Sequence, residues 1–387
     1  FPMCSACESE YTNPSSRRYD AQPVCCNDCG PQVYIVGTDI KGGEAIAAAR
    51  EALCEGKIIA VKGIGGFHLC CDATNEAVVD KLRRLKPRPA KPLAVMAKNL
   101  ETAKRECVVT KAEERLLVGW EKPVVLMKKR CGGKAAPSVA PDNPFLGVML
   151  PYAPLQLLLF SYPDGRPVSD LLVMTSANKS GMPICRSDED VCRDLPGLCD
   201  LVLSHDREIL LRVDDSVVTV FNEEPYMIRR SRGYAPLPIH VKGDFHGSVL
   251  GAGGELKNTV CLAKDNLFYL SPHIGDVGDI KTFEAQRECA ERLLDLLEIK
   301  PQLGGADLHP SYEASNLVRE AGIVTVPVQH HYAHILSCMA ENNCTSPVIG
   351  MVLDGTGYGT DGTIWGGELL AASYDGFKRF GSIAPFI

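Results

Sequence analysis

Two pairs of cysteines near the start of the chain constrain its folding more than any other feature. The pairs are Cys4-x2-Cys7 and Cys26-x2-Cys29, and 18 residues separate them. Four thiolates at this spacing suit a tetrahedral zinc ion, because each CxxC turn brings two sulfurs together. A head of about 30 residues buries too little surface to fold alone, so zinc would supply its folding free energy. The alternative is four unrelated thiols; Cys25 is not a predicted ligand, because only Cys26 completes a CxxC pair.

The composition argues against two classes of protein. The chain has 387 residues, of which 45% are hydrophobic and 23% charged, and its net charge is −7. This charge argues against a generally basic surface, so we expect no nucleic-acid partner. No apolar run reaches the roughly 18 residues that a membrane span needs. The first residues, FPMCSACESE, also lack the pattern of a signal peptide.

The cysteine usage indicates a reducing compartment. The chain has 17 cysteines, an odd number, and several of them sit in apolar segments, as at Cys54, Cys261 and Cys338. Such residues are typical small core side chains. We therefore expect a cytoplasmic protein rather than a disulfide framework. Because the chain begins at Phe1 and ends in a strand-like segment, we also expect it to be a piece of a longer protein.

Helix-like and strand-like patterns alternate from about residue 40 to residue 236, which is typical of an α/β domain. The clearest are a helix at 43–56, a buried strand at 57–63 and an amphipathic helix at 75–86. Residues 229–247 are rich in Pro, Gly and Arg and read as a linker or a basic loop.

A second α/β pattern begins at residue 248. The segment SVLGAGGELKNTVCLAKDNLFYL predicts two strands joined by a Gly-rich turn, and FEAQRECAERLLDLLEI predicts a helix with an apolar stripe. PVIGMVLDGTGYG and IWGGELLAASYDG predict two more strands with a tight turn between them. The arrangement of a strand, a Gly-rich turn and a second strand occurs twice, which favours a nucleotide-handling domain.

A cationic loop and a polar strand end are candidates for anion binding in the first α/β region. The segment RRLKPRPAKPLAVM concentrates Arg83, Arg84, Lys86, Arg88 and Lys91, and its prolines stiffen the loop. A rigid cationic loop is a reasonable grip for phosphate, although such loops are often merely solvated.

The polar strand end is LLVMTSANKSG. It places Thr175, Ser176 and Asn178 just past a strand, where hydroxyls and an amide can donate to an anion or form an ordinary turn.

The segment HHYAH offers a candidate metal site. On a helix from about 328 to 341, His330 and His334 are i and i+4 and share one face. His331 and His334 are i and i+3, so that pair is not excluded. Asp354 ends an apolar strand before a glycine turn and could be a third ligand. The alternative is a histidine-rich helix start with no metal.

The cationic loop and the polar strand end of the first α/β region together resemble the YrdC/Sua5 family. The similarity lies in Lys86-x-Arg88, Ser176-x-Asn178, GIGGFHL and RPAKPLAVM. It implies a twisted α/β fold whose positively charged pocket binds ATP and forms an acyl-type adenylate. By this resemblance the catalytic and nucleotide-binding side chains are Lys86, Arg88, Ser176 and Asn178, and further phosphate contacts are Lys91, Thr175, Arg229 and Arg232.

The last region resembles the Kae1/TsaD family of the actin-like ATPase superfamily, through HxxxH and a strand-end Asp-Gly-Thr-Gly. The resemblance implies that His330, His334 and Asp354 hold a metal that meets ATP phosphates. It also implies that Gly355 and Gly357 let the backbone approach phosphate.

One family carries these three parts in this order, with VQHHxAH and SPHIGD segments like those here, so the whole chain resembles the HypF family. The predicted architecture is multidomain α/β: a Cys4 zinc finger at 1–36, a YrdC/Sua5-like twisted α/β domain at 40–238 and part of a Kae1-like domain at 247–387. In the family, an acylphosphatase-like domain and a first finger precede this segment. The resemblance implies that the second lobe of the Kae1-like domain, with its further metal ligand, lies beyond the chain.

The resemblance implies a carbamoyltransferase of nickel-iron hydrogenase maturation. Carbamoyl phosphate yields carbamate, carbamate and ATP yield carbamoyl-AMP, and the carbamoyl group passes to the C-terminal cysteine of HypE for cyanide synthesis. We accordingly expect structural Zn²⁺, ATP with Mg²⁺, and a divalent metal of unknown identity at the HxxxH site. The expected partners are HypE, ATP and carbamoyl phosphate or carbamate, with no membrane and no nucleic acid.

Two other functions compete with this one. The first is a threonylcarbamoyl-AMP synthase of tRNA modification, against which the cysteine head and the fused HxxxH domain argue. The second is a non-catalytic, zinc-stabilised scaffold that docks a partner through its finger.

Overall fold

The computed structural model describes residues 2–22, 24–179 and 181–383. The chain divides into two compact units. The first comprises Phe1–Ser180, Ile184–Leu210 and Val217–Tyr226, and the second comprises Gly181–Pro183, Leu211–Ser216 and Met227–Ile387. Among the helices in the described ranges, none has the length and apolarity to cross a membrane.

The first unit is built around one large mixed sheet of ten strands. Its helices are α1 (Ser5–Thr12), α2 (Gly42–Cys54), α3 (Glu76–Leu85), α4 (Leu100–Glu106), α5 (Lys111–Val118), α6 (Pro154–Phe160) and α7 (Asp188–Asp194). The strands of the sheet are β1 (Val33–Ile35), β2 (Ile59–Lys62), β3 (Phe67–Asp72), β4 (Val95–Ala97), β5 (Val124–Lys128), β6 (Phe145–Met149), β7 (Leu171–Ser176), β8 (Leu201–His205), β9 (Val217–Phe221) and β10 (Glu224–Arg229). Their order is β1-β8-β2-β3-β7-β4-β6-β5-β9-β10.

The central strands of this sheet, β2, β3, β7 and β4, are buried on both faces, which explains their continuous apolar runs. In β2, Ala60 belongs to one core cluster and Ile59 and Val61 belong to the other, because successive side chains point to opposite faces. Local capping agrees with the sequence. Thr110 and Glu113, which have the Thr-x-x-Glu spacing of a capping box, form one at the start of α5.

The second unit contains two sheets. Its helices are α8 (Ile280–Leu297), α9 (Asn316–Glu320) and α10 (His330–Glu341). Its strands are β11 (Pro238–His240), β12 (Ser248–Gly251), β13 (Cys261–Lys264), β14 (Leu267–Leu270), β15 (Leu303–Asp307), β16 (Val324–Val328), β17 (Val348–Tyr358), β18 (Ile364–Ser373) and β19 (Gly376–Ser382). The six-stranded sheet has the order β11-β14-β13-β12-β15-β16, and β17-β18-β19 form an antiparallel sheet.

Two predictions for this unit need correction. The segment that starts at residue 248 forms three strands rather than two, because a tight turn at Asp265 and Asn266 separates β13 from β14. The strand that carries Asp354 does not end there. β17 continues to Tyr358 through an irregularity between Leu353 and Gly357, so Asp354 lies within a strand.

Parallel pairing in the six-stranded sheet places the candidate metal site. β12, β15 and β16 are parallel neighbours, and Asp307 at the end of β15 is in register with Val328 at the end of β16. Helix α10 begins at His330, two residues after β16 ends. Polar side chains that follow these two strands therefore meet at the carboxyl edge of the sheet.

Candidate functional site

The four predicted zinc ligands converge in the cysteine head. The Sγ atoms of Cys4 and Cys26 are 3.7 Å apart, those of Cys26 and Cys29 are 3.9 Å apart, and those of Cys29 and Cys7 are 3.6 Å apart. A tetrahedral zinc with bonds of about 2.3 Å places its sulfurs about 3.8 Å apart. Cys25 is exposed and outside the cluster. The geometry therefore fits a Cys4 zinc site.

The electrostatics of the head also suit a metal. Hydrogen bonds from the backbone at Cys4 and Cys26 lower the pKa of Cys29 to about 6, toward the thiolate that zinc binds. Burial raises the pKa of Cys7 instead. A bound cation would overcome that desolvation and deprotonate all four ligands.

The KxR and SxN motifs meet in the first unit. Lys86 is only 2% exposed, and its Nζ donates to the Ser176 carbonyl and, at 3.0 Å, to Oδ1 of Asn178. The Ser176 hydroxyl donates to the same Oδ1 at 3.0 Å. Lys86 follows α3, where Pro87 prevents further helix, and Ser176 ends β7. A lysine ammonium, an amide and a hydroxyl are thus held together beside a strand end.

Three other predicted site residues, Arg88, Thr175 and Lys91, belong to the same loop and strand end. Nη1 of Arg88 donates to the Thr175 hydroxyl at 3.1 Å. The backbone carbonyl of Lys91 accepts from Arg83 at 3.1 Å. The loop therefore reaches the end of β7 through Lys86 and Arg88.

Arg83 has a different role from the one its place in the cationic segment predicts. Its guanidinium is buried and donates to backbone carbonyls, at 2.7 Å to Arg88 and at 3.0 Å to Val139. Burial lowers the pKa of Arg83. Arg84, in contrast, is exposed and pairs with Asp80 at 3.3 Å. Arg83 therefore holds the loop rather than an anion, and only its position on the buried face of amphipathic α3 could have signalled this.

Arg229 and Arg232 lie in the second unit. Nη1 of Arg229 is 3.8 Å from Asp214, and Nε of Arg232 donates to Asp215 at 2.9 Å. Both guanidinium groups thus have carboxylate partners, and their role as phosphate contacts stays a prediction.

His330, His334 and Asp354 come together in the second unit. Their ligand atoms all lie within 4.8 Å of one another. Nε2 of His330 is 3.0 Å, and Nε2 of His334 is 3.8 Å, from Oδ2 of Asp354. Two imidazole nitrogens and a carboxylate oxygen suit a divalent transition metal. The residues present therefore fit the metal that the sequence predicted, while its occupancy and identity stay predictions.

Asp307 adjoins this cluster and was missed by sequence reasoning. Its Oδ2 is 2.7 Å from Nδ1 of His330, and this hydrogen bond raises the pKa of His330. Burial has the opposite effect on His334 and lowers its pKa. The sequence signal that could have revealed Asp307 is its place at the end of the strand LGGAD.

His331 faces away from the cluster, which removes the alternative pairing with His334. It is fully buried, and its Nδ1 is 3.1 Å from Nε2 of Gln329. The Gln329 side chain also caps α10 by accepting from the Tyr332 backbone N–H at 2.9 Å. His331 is therefore a core residue of the helix start.

The two predicted glycines differ in their surroundings. A Cβ at Gly357 would lie 2.5 Å from Cε1 of His331, whereas a Cβ at Gly355 would meet nothing within 4 Å. Gly357 thus allows β17 to pack closely on the start of α10. The predicted approach of phosphate at either glycine stays a prediction.

Four family models match the chain in order. They are the HypF finger at 3–36, the Sua5/YciO/YrdC model described as telomere recombination at 51–231, the HypF Kae1-like domain at 244–341, and the second subdomain of the carbamoyltransferase Kae1-like domain at 350–387. These matches confirm the predicted multidomain α/β class with its finger, YrdC/Sua5-like and Kae1-like parts. The fourth shows that part of the second subdomain of the Kae1-like domain lies in this chain, so the expectation that the whole of this lobe lies beyond the chain is wrong.

Relatives and solved structures give the same result. Carbamoyltransferase HypF2 of Cupriavidus necator is 44% identical, over 98% of this chain and 56% of the relative. A crystal structure of full-length HypF in the phosphate- and nucleotide-bound form matches with a TM-score of 0.88 at 44% identity, over 98% of this chain and 49% of that one. Threonylcarbamoyl-AMP synthase of Escherichia coli O1:K1 / APEC is 34% identical, over 38% of this chain and 78% of the relative. The chain spans about half the length of the HypF relatives it matches.

Proposed function

Because the chain belongs to the HypF family of carbamoyltransferases, we propose that it activates a carbamoyl group with ATP and passes it on during hydrogenase maturation. The observation that carries this proposal is the meeting of Lys86, Ser176 and Asn178 in a chain that also holds the Cys4 and HxxxH clusters. The phosphate and nucleotide bound to a solved HypF support it further.

The proposed first reaction forms carbamoyl-AMP. A carbamate oxygen attacks the α-phosphorus of ATP, the bond to the β-phosphate oxygen breaks, and pyrophosphate leaves. The Lys86 ammonium and the Arg88 guanidinium stabilise the charge that builds on the phosphates, most effectively where water is excluded. Ser176, Asn178 and Thr175 orient the nucleotide, with Lys91, Arg229 and Arg232 as further phosphate contacts. Mg²⁺ accompanies ATP.

The proposed second reaction transfers the carbamoyl group to the C-terminal cysteine of HypE. The thiolate attacks the carbamoyl carbon and AMP leaves, so the thiocarboxamide carries no phosphate. His330, His334 and Asp354 would hold a divalent metal, which supplies a positive charge for the nucleotide phosphates. Gly355 and Gly357 lie on the strand that carries Asp354, where their backbone could face those phosphates.

We also propose the domain bounds, the cellular compartment and the source of carbamate. We assign the finger to residues 1–36, the adenylation domain to 40–238 and the Kae1-like part to 247–387. The 17 cysteines all lie in the described ranges and none forms a disulfide, which suits a reducing cytoplasm. Carbamoyl phosphate is the proposed source of carbamate.

The adenylation step is tested by exchange of labelled pyrophosphate into ATP. The chain is incubated with ATP, Mg²⁺ and carbamate generated from bicarbonate and ammonia, so that carbamoyl phosphate hydrolysis is not required. We expect exchange that depends on carbamate. If a folded chain gave no exchange under these conditions, the proposal would be wrong.

The same assay separates the proposal from its main competitor. The 34% identity to threonylcarbamoyl-AMP synthase favours that alternative over the 161 residues it covers. A threonylcarbamoyl-AMP synthase requires threonine for exchange, whereas a carbamoyl-adenylating enzyme does not. Threonine-dependent exchange would therefore favour the competitor.

A further inference from the structure

Asp307 holds the imidazole of His330 from the side opposite Asp354. Oδ2 of Asp307 is 2.7 Å from Nδ1, whereas Nε2 of the same ring is 3.0 Å from Asp354. The Asp307 side chain is only 6% exposed, so water competes weakly for it. Imidazole binds a metal through one nitrogen, and a hydrogen bond at the other nitrogen decides which one.

The fold fixes this carboxylate from both sides. The parallel register of β15 and β16 pairs Asp307 with Val328, and α10 starts just beyond. The second oxygen, Oδ1, accepts the backbone N–H of His309 at 2.8 Å. Because both oxygens are engaged, the carboxylate cannot rotate without losing a buried hydrogen bond.

We propose that Asp307 is a positioning residue of the metal site: it keeps a proton on Nδ1 of His330 and presents Nε2 as the ligand atom. The inference rests on the proposed function, which gives His330, His334 and Asp354 a divalent metal. Asp307 is not itself a ligand, because its Oδ2 faces the ring nitrogen that points away from Asp354.

The backbone contact at His309 makes the substitutions at Asp307 informative. In Asp307→Asn, the His309 N–H needs the amide oxygen as acceptor, so the amide NH₂ group faces Nδ1 of His330. A donor there favours the tautomer with the proton on Nε2, which cannot bind metal through that atom. Asp307→Ala leaves both tautomers accessible. If Asp307 only filled space, Asp307→Asn would bind zinc more tightly than Asp307→Ala, since Asn preserves the shape of Asp. The proposal predicts the opposite order of zinc affinities.

Zinc titration against a chromophoric chelator tests the proposal on the whole chain. We expect one equivalent at the finger and a second at the histidine site, which His334→Ala removes. The affinity of the second site falls about tenfold in Asp307→Ala and about a hundredfold in Asp307→Asn, as for other partners of metal-bound histidines. The matched control is Asp244→Asn, which removes a carboxylate 3.0 Å from His246 in an exposed pair and leaves both equivalents unchanged.

Nuclear magnetic resonance of the protein loaded with one equivalent of zinc, which fills the finger and leaves the histidine site empty, gives a readout that does not depend on activity. We expect a proton bonded to Nδ1 of His330 in the unsubstituted chain and its loss in Asp307→Asn. Equal zinc affinities in the unsubstituted chain and both Asp307 variants would overturn this inference but not the proposed metal site. A second site that binds zinc more weakly in Asp307→Ala than in Asp307→Asn would have the same consequence. A second equivalent that is missing from the unsubstituted chain would refute the metal site itself, and the inference with it.

Discussion

The Nζ atom of Lys86 lies 3.0 Å from Oδ1 of Asn178, although 92 positions separate the two residues. Lys86 follows α3 and Asn178 follows β7, so the contact joins two motifs that are each unremarkable alone. A cationic loop is commonly solvated, and a Ser-Asn pair after a strand is commonly a turn. Their contact creates a buried positive charge with fixed partners, where an anion is held more strongly than at the surface.

Replacing Lys86 tests the importance of this charge. We expect Lys86→Met to lower carbamate-dependent pyrophosphate exchange by about a hundredfold, because the charged donor that we propose for the reacting phosphates is lost. Methionine retains most of the buried volume. Lys81→Met, at a more exposed lysine that pairs with Asp200, is the control and leaves exchange unchanged. Exchange in Lys86→Met equal to that of the control, with both proteins folded, would contradict the prediction.

Arg83 is expected to position the loop rather than to bind substrate. Its guanidinium donates hydrogen bonds to the backbone carbonyls of Arg88, Lys91 and Val139. A lysine ammonium cannot reach all three carbonyls from one point. Arg83→Lys should raise the KM for ATP about tenfold, more than it lowers kcat, and should lower stability by about 1–3 kcal/mol.

The matched control for Arg83 is Arg84→Lys, at the adjacent exposed arginine. It should leave both kinetic constants and the unfolding midpoint unchanged. If the two variants behaved alike, the loop would not depend on Arg83.

Two cysteines of the head, Cys4 inside the sulfur cluster and Cys25 outside it, should respond differently to substitution. Cys4→Ser removes a sulfur of the cluster, so we expect loss of the finger zinc and rapid proteolysis of the head, whose small core depends on metal. Cys25→Ser should retain zinc, because Cys25 lies outside the cluster. Elemental analysis combined with limited proteolysis measures both effects. Zinc loss in Cys25→Ser alone would reverse the ligand assignment.

Gly357 and Gly355 provide a matched pair in β17. A Cβ at Gly357 would lie 2.5 Å from His331, so Gly357→Ala should destabilise the second unit by about 1–3 kcal/mol through overpacking. Gly355→Ala meets open space and should change stability by less than about 0.5 kcal/mol.

Trp365 is buried in the second unit, so its fluorescence during urea unfolding reports this difference. Trp120→Phe removes the other tryptophan of the chain and serves as the common background. Equal midpoints for the two alanine variants would show that β17 shifts away from α10 at little cost.

The Arg50–Asp164 pair should give the first unit a specific acid sensitivity. Nε and Nη2 of Arg50 donate to the Asp164 carboxylate at 2.8 and 3.1 Å, and Arg50 lowers the pKa of Asp164 from 3.8 to about 2. The folded-state pKa is below the unfolded value, so the stabilisation is complete above pH 3.8 and is lost as the pH falls toward 2.

Urea unfolding measured from about pH 5 down to about pH 3 checks this effect. Asp164→Asn should be less stable than the unsubstituted chain at the upper end, and the difference should narrow as the pH falls. Glu10→Gln, in the exposed pair with Arg18, is the control and should show no such trend. A difference that widens in acid would contradict the assigned sign.

Features set by local spacing were predictable from the sequence. Each CxxC pair is made by one turn, so the clustering of the four predicted ligands and the exclusion of Cys25 followed from spacing. The i and i+4 relation of His330 and His334 held although α10 begins two residues later than expected, because a helix keeps that face wherever it starts. The order of the motifs also sufficed to predict the domain classes.

Contacts between distant segments needed the tertiary structure. The Lys86–Asn178 contact depends on where α3 ends relative to β7, and Asp307 reaches His330 only because β15 and β16 are parallel and in register. The burial that turns Arg83 toward backbone carbonyls and His331 into the core is likewise a property of packing. Sequence spacing determines which side chains share a turn or a helix face, whereas strand pairing and burial determine which partner each of them meets.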